Sequence, residues 1–63
     1  MRKTFKVTLI GKSPTYPVIG DEHTTLEAVW DSQKSLFAPG TKVLIQDAEN
    51  HIQIFEKERK HHG

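Results

Sequence analysis

The chain contains no cysteine, which excludes a disulfide framework and a thiolate-metal site and suits a reducing compartment. A cytoplasmic location is therefore the expectation. Apolar runs stop after three or four residues, far short of the roughly 20 that a membrane-spanning helix needs. No apolar segment follows the basic start Met1-Arg2-Lys3 in the manner of a signal peptide, so neither a membrane nor export is expected. An excess of one charge is missing too. Nine Lys and Arg stand against eight Asp and Glu, which removes the simple argument from overall basicity to nucleic acid. P-loop, HExxH and glycine-rich phosphate cradle are all absent. A chain of 63 residues also has little room for the concave pocket that acid-base chemistry requires, so the expectation is a non-enzyme without a cofactor.

What is present is one helical pattern among several strands. In Thr24 to Phe37, stepping 100° per residue gathers Leu26, Val29, Trp30, Gln33, Leu36 and Phe37 on one arc, which makes an amphipathic helix. Thr24 and Glu27 have the spacing of a capping box, and Pro39-Gly40 supplies the stop. Gln33 is the one polar residue inside the apolar arc, and snorkelling to a sheet edge or donation to a strand-end carbonyl would accommodate it.

Lys3 to Ile10 alternates with β-branched and aromatic residues and reads as the firmest strand. Gly11 to Pro14 is a turn. Thr15 to Ile19 is a short strand confined to a sheet edge, because Pro17 has no N–H to give a ladder. Ala38-Pro39-Gly40-Thr41 has the residues of a type II turn. Lys42 to Gln46 and His51 to Lys57 form a hairpin through Asp47 to Asn50, with Asn50 the residue best suited to a left-handed conformation.

These elements predict a small two-layer α+β domain over residues 1–57, with 58–63 a polar tail. One helix packs on one face of a three- to four-stranded, mainly antiparallel sheet, in a split β-α-β arrangement. The last strand is expected between the first strand and Lys42 to Gln46. The expected core is Phe5, Val7, Leu9, Leu26, Val29, Trp30, Leu36, Phe37, Val43, Ile45, Ile52 and Ile54. Alternation then assigns Lys6, Ile10, Lys42, Leu44, Gln53, Phe55 and Lys57 to the uncovered face, an apolar patch rimmed by lysines.

Two uses of that face follow from its chemistry. Contiguous exposed apolar area suits a protein partner or a sheet-to-sheet homodimer, which is the leading reading. An aromatic interleaved with cations suits nucleic acid, with Phe55 stacking on bases and Arg2, Lys3, Lys6, Lys57, Arg59 and Lys60 contacting phosphates. That cluster requires the first and last strands to be antiparallel neighbours. Asp21, Glu22, Glu27 and Asp31 are expected to make the helix surface and its approach loop acidic, a second surface on which a protein partner could dock. His23, His51, His61 and His62 lack the convergent ligand set of a structural or catalytic metal site, and only adventitious metal binding is expected of them.

No diagnostic motif marks a family. The order of elements, a strand pair, a helix and a hairpin, is similar to that of several small accessory proteins of phages and mobile elements, including inhibitors of host defence complexes. The resemblance implies a protein that works by occupying a larger partner.

Overall fold

The computed structural model of the chain describes residues 1–12 and 15–59. Its elements are β1 (Arg2–Leu9), β2 (Thr15–Asp21), α1 (Leu26–Gln33) with a 3₁₀ turn at Lys34–Leu36, β3 (Lys42–Gln46) and β4 (Ile52–Glu56). The domain is α+β, with one helix on a four-stranded sheet in which every pairing is antiparallel. Ser13 and Pro14 of the expected turn lie outside the described residues, as does the tail from residue 60.

The strand order is β2-β1-β3-β4, which corrects the expected placement of β4 between β1 and β3. The cause is β2. It is a full strand of seven residues that runs back along β1 as far as Asp21, so the helix departs from the end of β2 instead of from β1. The crossover β2-α1-β3 therefore spans β1, with β2 and β3 parallel to each other on either side of it. Pro17 sits on the sheet edge as its missing N–H demands, opposite Lys6.

The helix begins one residue later than the capping box implied. Thr25 is the N-cap, its Oγ1 accepting the Ala28 N–H at 3.1 Å. Thr24 instead locks the approach: its Oγ1 accepts the Asp21 N–H at 2.9 Å and donates to Asp21 Oδ1 at 3.1 Å. Gly20 makes room for this lock, since a Cβ there would stand 2.7 Å from the Thr24 side chain. At the other end the tighter winding of the 3₁₀ turn rotates Leu36 out to 70% exposure and brings Phe37 in. Leu36 thus leaves the expected core. Gly40, at φ +86°, occupies the expected turn position, and the Thr41 N–H bonds the Ala38 carbonyl at 3.2 Å. Gln33 stays inside the helix arc because its Oε1 accepts the Tyr16 O–H at 2.9 Å, tying the helix to β2.

Phe5, Val7, Val29, Val43 and Ile45 are fully buried, with Leu9, Tyr16, Val18, Leu26, Trp30, Phe37 and Phe55 packed around them. Ile52 and Ile54 are absent from this set and Phe55 is present, the reverse of the expected facing of β4. The register explains it. Val43 lies opposite Phe55, and Leu44 opposite Ile54. The Asp47 N–H bonds the His51 carbonyl at 3.0 Å, leaving a loop of Ala48, Glu49 and Asn50 rather than Asp47 to Asn50. Asn50 takes the left-handed conformation at φ 67° that such loops require. Moving a strand by one residue exchanges its two faces.

The exchange gives Trp30 its partners. Its ring stacks on Phe55 at 5.4 Å between centroids and on Phe37 at 6.0 Å, with interplanar angles of 12° and 8°. Offset aromatic stacking adds roughly 0.5–1.5 kcal/mol per pair beyond area burial. Truncating Phe55 to alanine should therefore destabilise the domain by roughly 2–4 kcal/mol, whereas Ile54→Ala should cost less than about 1 kcal/mol. Urea unfolding of the two variants measures this directly, and equal losses would contradict the register.

Candidate functional site

With α1 covering one face, the other face of the sheet is left open by the described residues. Cross-strand pairing sets out two full rows on it, Pro17-Lys6-Gln46-Ile52 and Thr15-Thr8-Leu44-Ile54, with Lys42 and Glu56 paired beyond them. Thr8 and Thr15 share a hydroxyl hydrogen bond of 2.8 Å. Leu44 sits between Thr8 and Ile54, half-buried, while Ile52 and Ile54 are 55% and 58% exposed. Ile19 and Ile10 add exposed apolar area at the margins, Ile10 continuing the ladder through its N–H to the Lys42 carbonyl at 3.0 Å. The face mixes apolar side chains, gathered toward β4, with threonine, glutamine and lysine, and Lys6 near its centre forms no ion pair among the described residues.

Of the residues assigned to this face from sequence, Lys6, Leu44, Lys42 and Ile10 are on it. Gln53, Phe55 and Lys57 are on the helix side, for the register reason given above. Phe55 is engaged in the aromatic stack and offers no free ring to the open face. Ile52, Ile54, Pro17 and Ile19 take up the surface instead. Loop chemistry in the sequence carried the missing signal: an Asp at the loop's start and an Asn before its end favour the closed three-residue turn over an even-numbered one.

The basic cluster does not assemble. Because β3 intervenes, β4 runs parallel to β1, so Arg2 and Lys3 lie at one end of the sheet, Lys6 near its middle, and Lys57 and Arg59 at the other end. Lys3 faces Glu49 at 3.5 Å. Lys57 Nζ donates to the Lys34 carbonyl at 3.0 Å, a cation on the negative end of the helix. Lys60 is outside the described residues. The two ends of the strands differ in charge balance: Asp21, Glu22, Asp47 and Glu49 outnumber Arg2 and Lys3 at one, and Lys12, Lys34, Lys42, Lys57 and Arg59 outnumber Glu56 and Glu58 at the other.

The hairpin loop brings the nearest approach to a ligand set, with donor atoms of Asp47, Glu49 and His51 within 4.8 Å of one another. Their own hydrogen bonds account for the arrangement. Asp47 Oδ1 accepts the backbone N–H groups of Glu49 and His51 at 2.8 and 2.9 Å, and Oδ2 lies 2.9 Å from His51 Nδ1. His23 is far along the chain from this loop, its N–H donating to Asp21 Oδ1 at 2.8 Å, and His61 and His62 are outside the described residues.

Among the described residues no helix is long and apolar enough to cross a membrane. No family model matches the chain, and no curated protein or solved structure is found that resembles it.

Two carboxylates in these turns titrate low. Partial desolvation pushes Asp47 up, but the hydrogen bonds from His51 and Glu49 outweigh it and hold the group below the ordinary value of 3.8. Asp21 is lowered by the backbone N–H of His23 and by the Thr24 hydroxyl. A carboxylate lowered in the folded state stabilises fully above its unfolded value and ceases to do so as pH falls through the native one. The domain should thus lose stability as pH is taken below 3.8, and the Asp21→Ala/Asp47→Ala double variant should show a flatter pH profile there. Chemical denaturation at a series of acidic pH values measures both.

Proposed function

We propose that this protein is a small, non-enzymatic binding module that docks on a larger protein partner through the open sheet face, in the cytoplasm. The observation that carries the reading is the contiguous strip of Leu44, Ile54 and Ile52, two of them more than half exposed, on a sheet face that no other element among the described residues covers. Leaving such area in water forgoes burial worth about 25 cal/mol per Å², and contiguous patches of this kind commonly mark interfaces. The threonine, glutamine and lysine side chains around the strip give a polar rim, as in ordinary protein interfaces. The absence of cysteine is compatible with the cytoplasm. An accessory protein that acts by occupying a larger complex, as the order of elements suggests, needs no more chemistry than this.

The structure favours a protein over nucleic acid as the occupant, because Phe55 is held in the aromatic stack and the cations are divided between the two ends. Leu44→Lys places a charge in the middle of the strip on an interior strand. It should lower the affinity for a captured partner at least about tenfold while the domain stays folded. Glu27→Lys, on the helix surface, should leave the affinity unchanged. Titration calorimetry on the purified complex reads both values; the opposite pattern would move the docking site to the acidic helix. Binding to an oligonucleotide that weakens steeply with salt would show nucleic acid to be the occupant.

A further inference from the structure

The two edges of the sheet are finished differently. On β2, Pro17 presents no N–H to the outside and the Asp21 N–H is taken by Thr24 Oγ1. That edge is interrupted for a further strand, only Thr15 and Ile19 being left to present outward N–H groups on either side of the proline. On β4 the bonds from Asp47 N–H to the His51 carbonyl and from Lys57 N–H to the Thr41 carbonyl fix which residues face β3: the odd-numbered ones. Ile52, Ile54 and Glu56 consequently turn their N–H and C=O groups outward. Nothing among the described residues, loop or side chain, bonds to them. The outer edge of β4 contains neither proline nor lysine.

We propose that this edge pairs with the same edge of a second copy, two β4 strands meeting antiparallel about a two-fold axis at Ile54 to give a continuous eight-stranded sheet. In this register Ile54 meets its counterpart and Ile52 meets Glu56, so all three outward residues of each strand exchange bonds with a partner. Leu44 and Ile54 of each copy then align in one unbroken apolar row across the open face. Charge favours the same orientation. An antiparallel pairing sets the end bearing Asp47 and Glu49 against the end bearing Lys57 and Arg59, and brings Glu49 level with Arg59 of the second copy. A parallel pairing would oppose like ends. The dimer does not depend on the docking reading, which concerns the face rather than the edge.

The test is sedimentation over a wide concentration range, together with amide hydrogen exchange. The wild-type protein should pass from monomer to dimer, and the amides of Ile52, Ile54 and Glu56 should gain protection as it does. Ile54→Pro copies on β4 the device that Pro17 provides on β2, and it should weaken the dimer at least about tenfold. Should that variant fail to fold, Ile54→Cys serves in its place, since the chain has no other cysteine. Oxidation should link two copies through residue 54, whereas Lys6→Cys, distant from the edge, should remain unlinked. A protein that stays monomeric throughout would overturn the proposal. So would a dimer whose three edge amides exchange freely or which Ile54→Pro leaves intact, as that dimer would use the open faces.

Discussion

The register of the β3-β4 hairpin decides more about this molecule than any other feature, and Asp47 holds it. One carboxylate oxygen receives two backbone N–H groups of the loop and the other lies against His51, while the Asp47 backbone closes the turn onto the His51 carbonyl. With the loop confined to three residues, β4 can only face one way. Phe55 goes under the helix and the two isoleucines go to solvent. A loop longer by one residue would exchange them, removing a stacked ring from Trp30 and changing the chemistry of the opposite face.

That choice has an energetic logic. A single sheet in a domain this small cannot cover both faces, so apolar side chains must be left outside on whichever face the helix does not reach. Burying Phe55 against Trp30 captures a large aromatic contact. Exposing Ile52 and Ile54 is the consequence, and their position on an outer strand beside Leu44 turns it into a coherent surface. The same register turns the backbone groups of these isoleucines outward along the edge. Face and edge are thus products of one turn.

The second strand has a comparable reach. By running the full length of β1 to Asp21, it reverses the direction in which the helix must travel and places β3 beside β1. The charged ends of the strands are sorted accordingly. Cations that a different order would have gathered at one place are separated, leaving acids in the majority at one end and cations in the majority at the other. Gln33 and Tyr16 secure this arrangement, burial raising the Tyr16 phenol above its usual value while its O–H serves the helix.

The sequence by itself determined the elements: alternation for β1 and β3, a 3.6-residue stripe for α1, proline and glycine for the turn before β3, and an asparagine suited to the left-handed corner. These depend on a residue and its near neighbours, and both the α+β class and the helix's place on one face follow from them. Only the tertiary structure decided the strand order, the facing of β4, the outward turn of Leu36 and the division of the cations. Each of these hangs on a count of one residue or on the direction of a crossover. Local propensity is indifferent to such choices, because Ile52 and Ile54 or Phe55 would each make an acceptable inner row. What separates the alternatives is contact between segments far apart in the chain, above all the fit of Phe55 against Trp30.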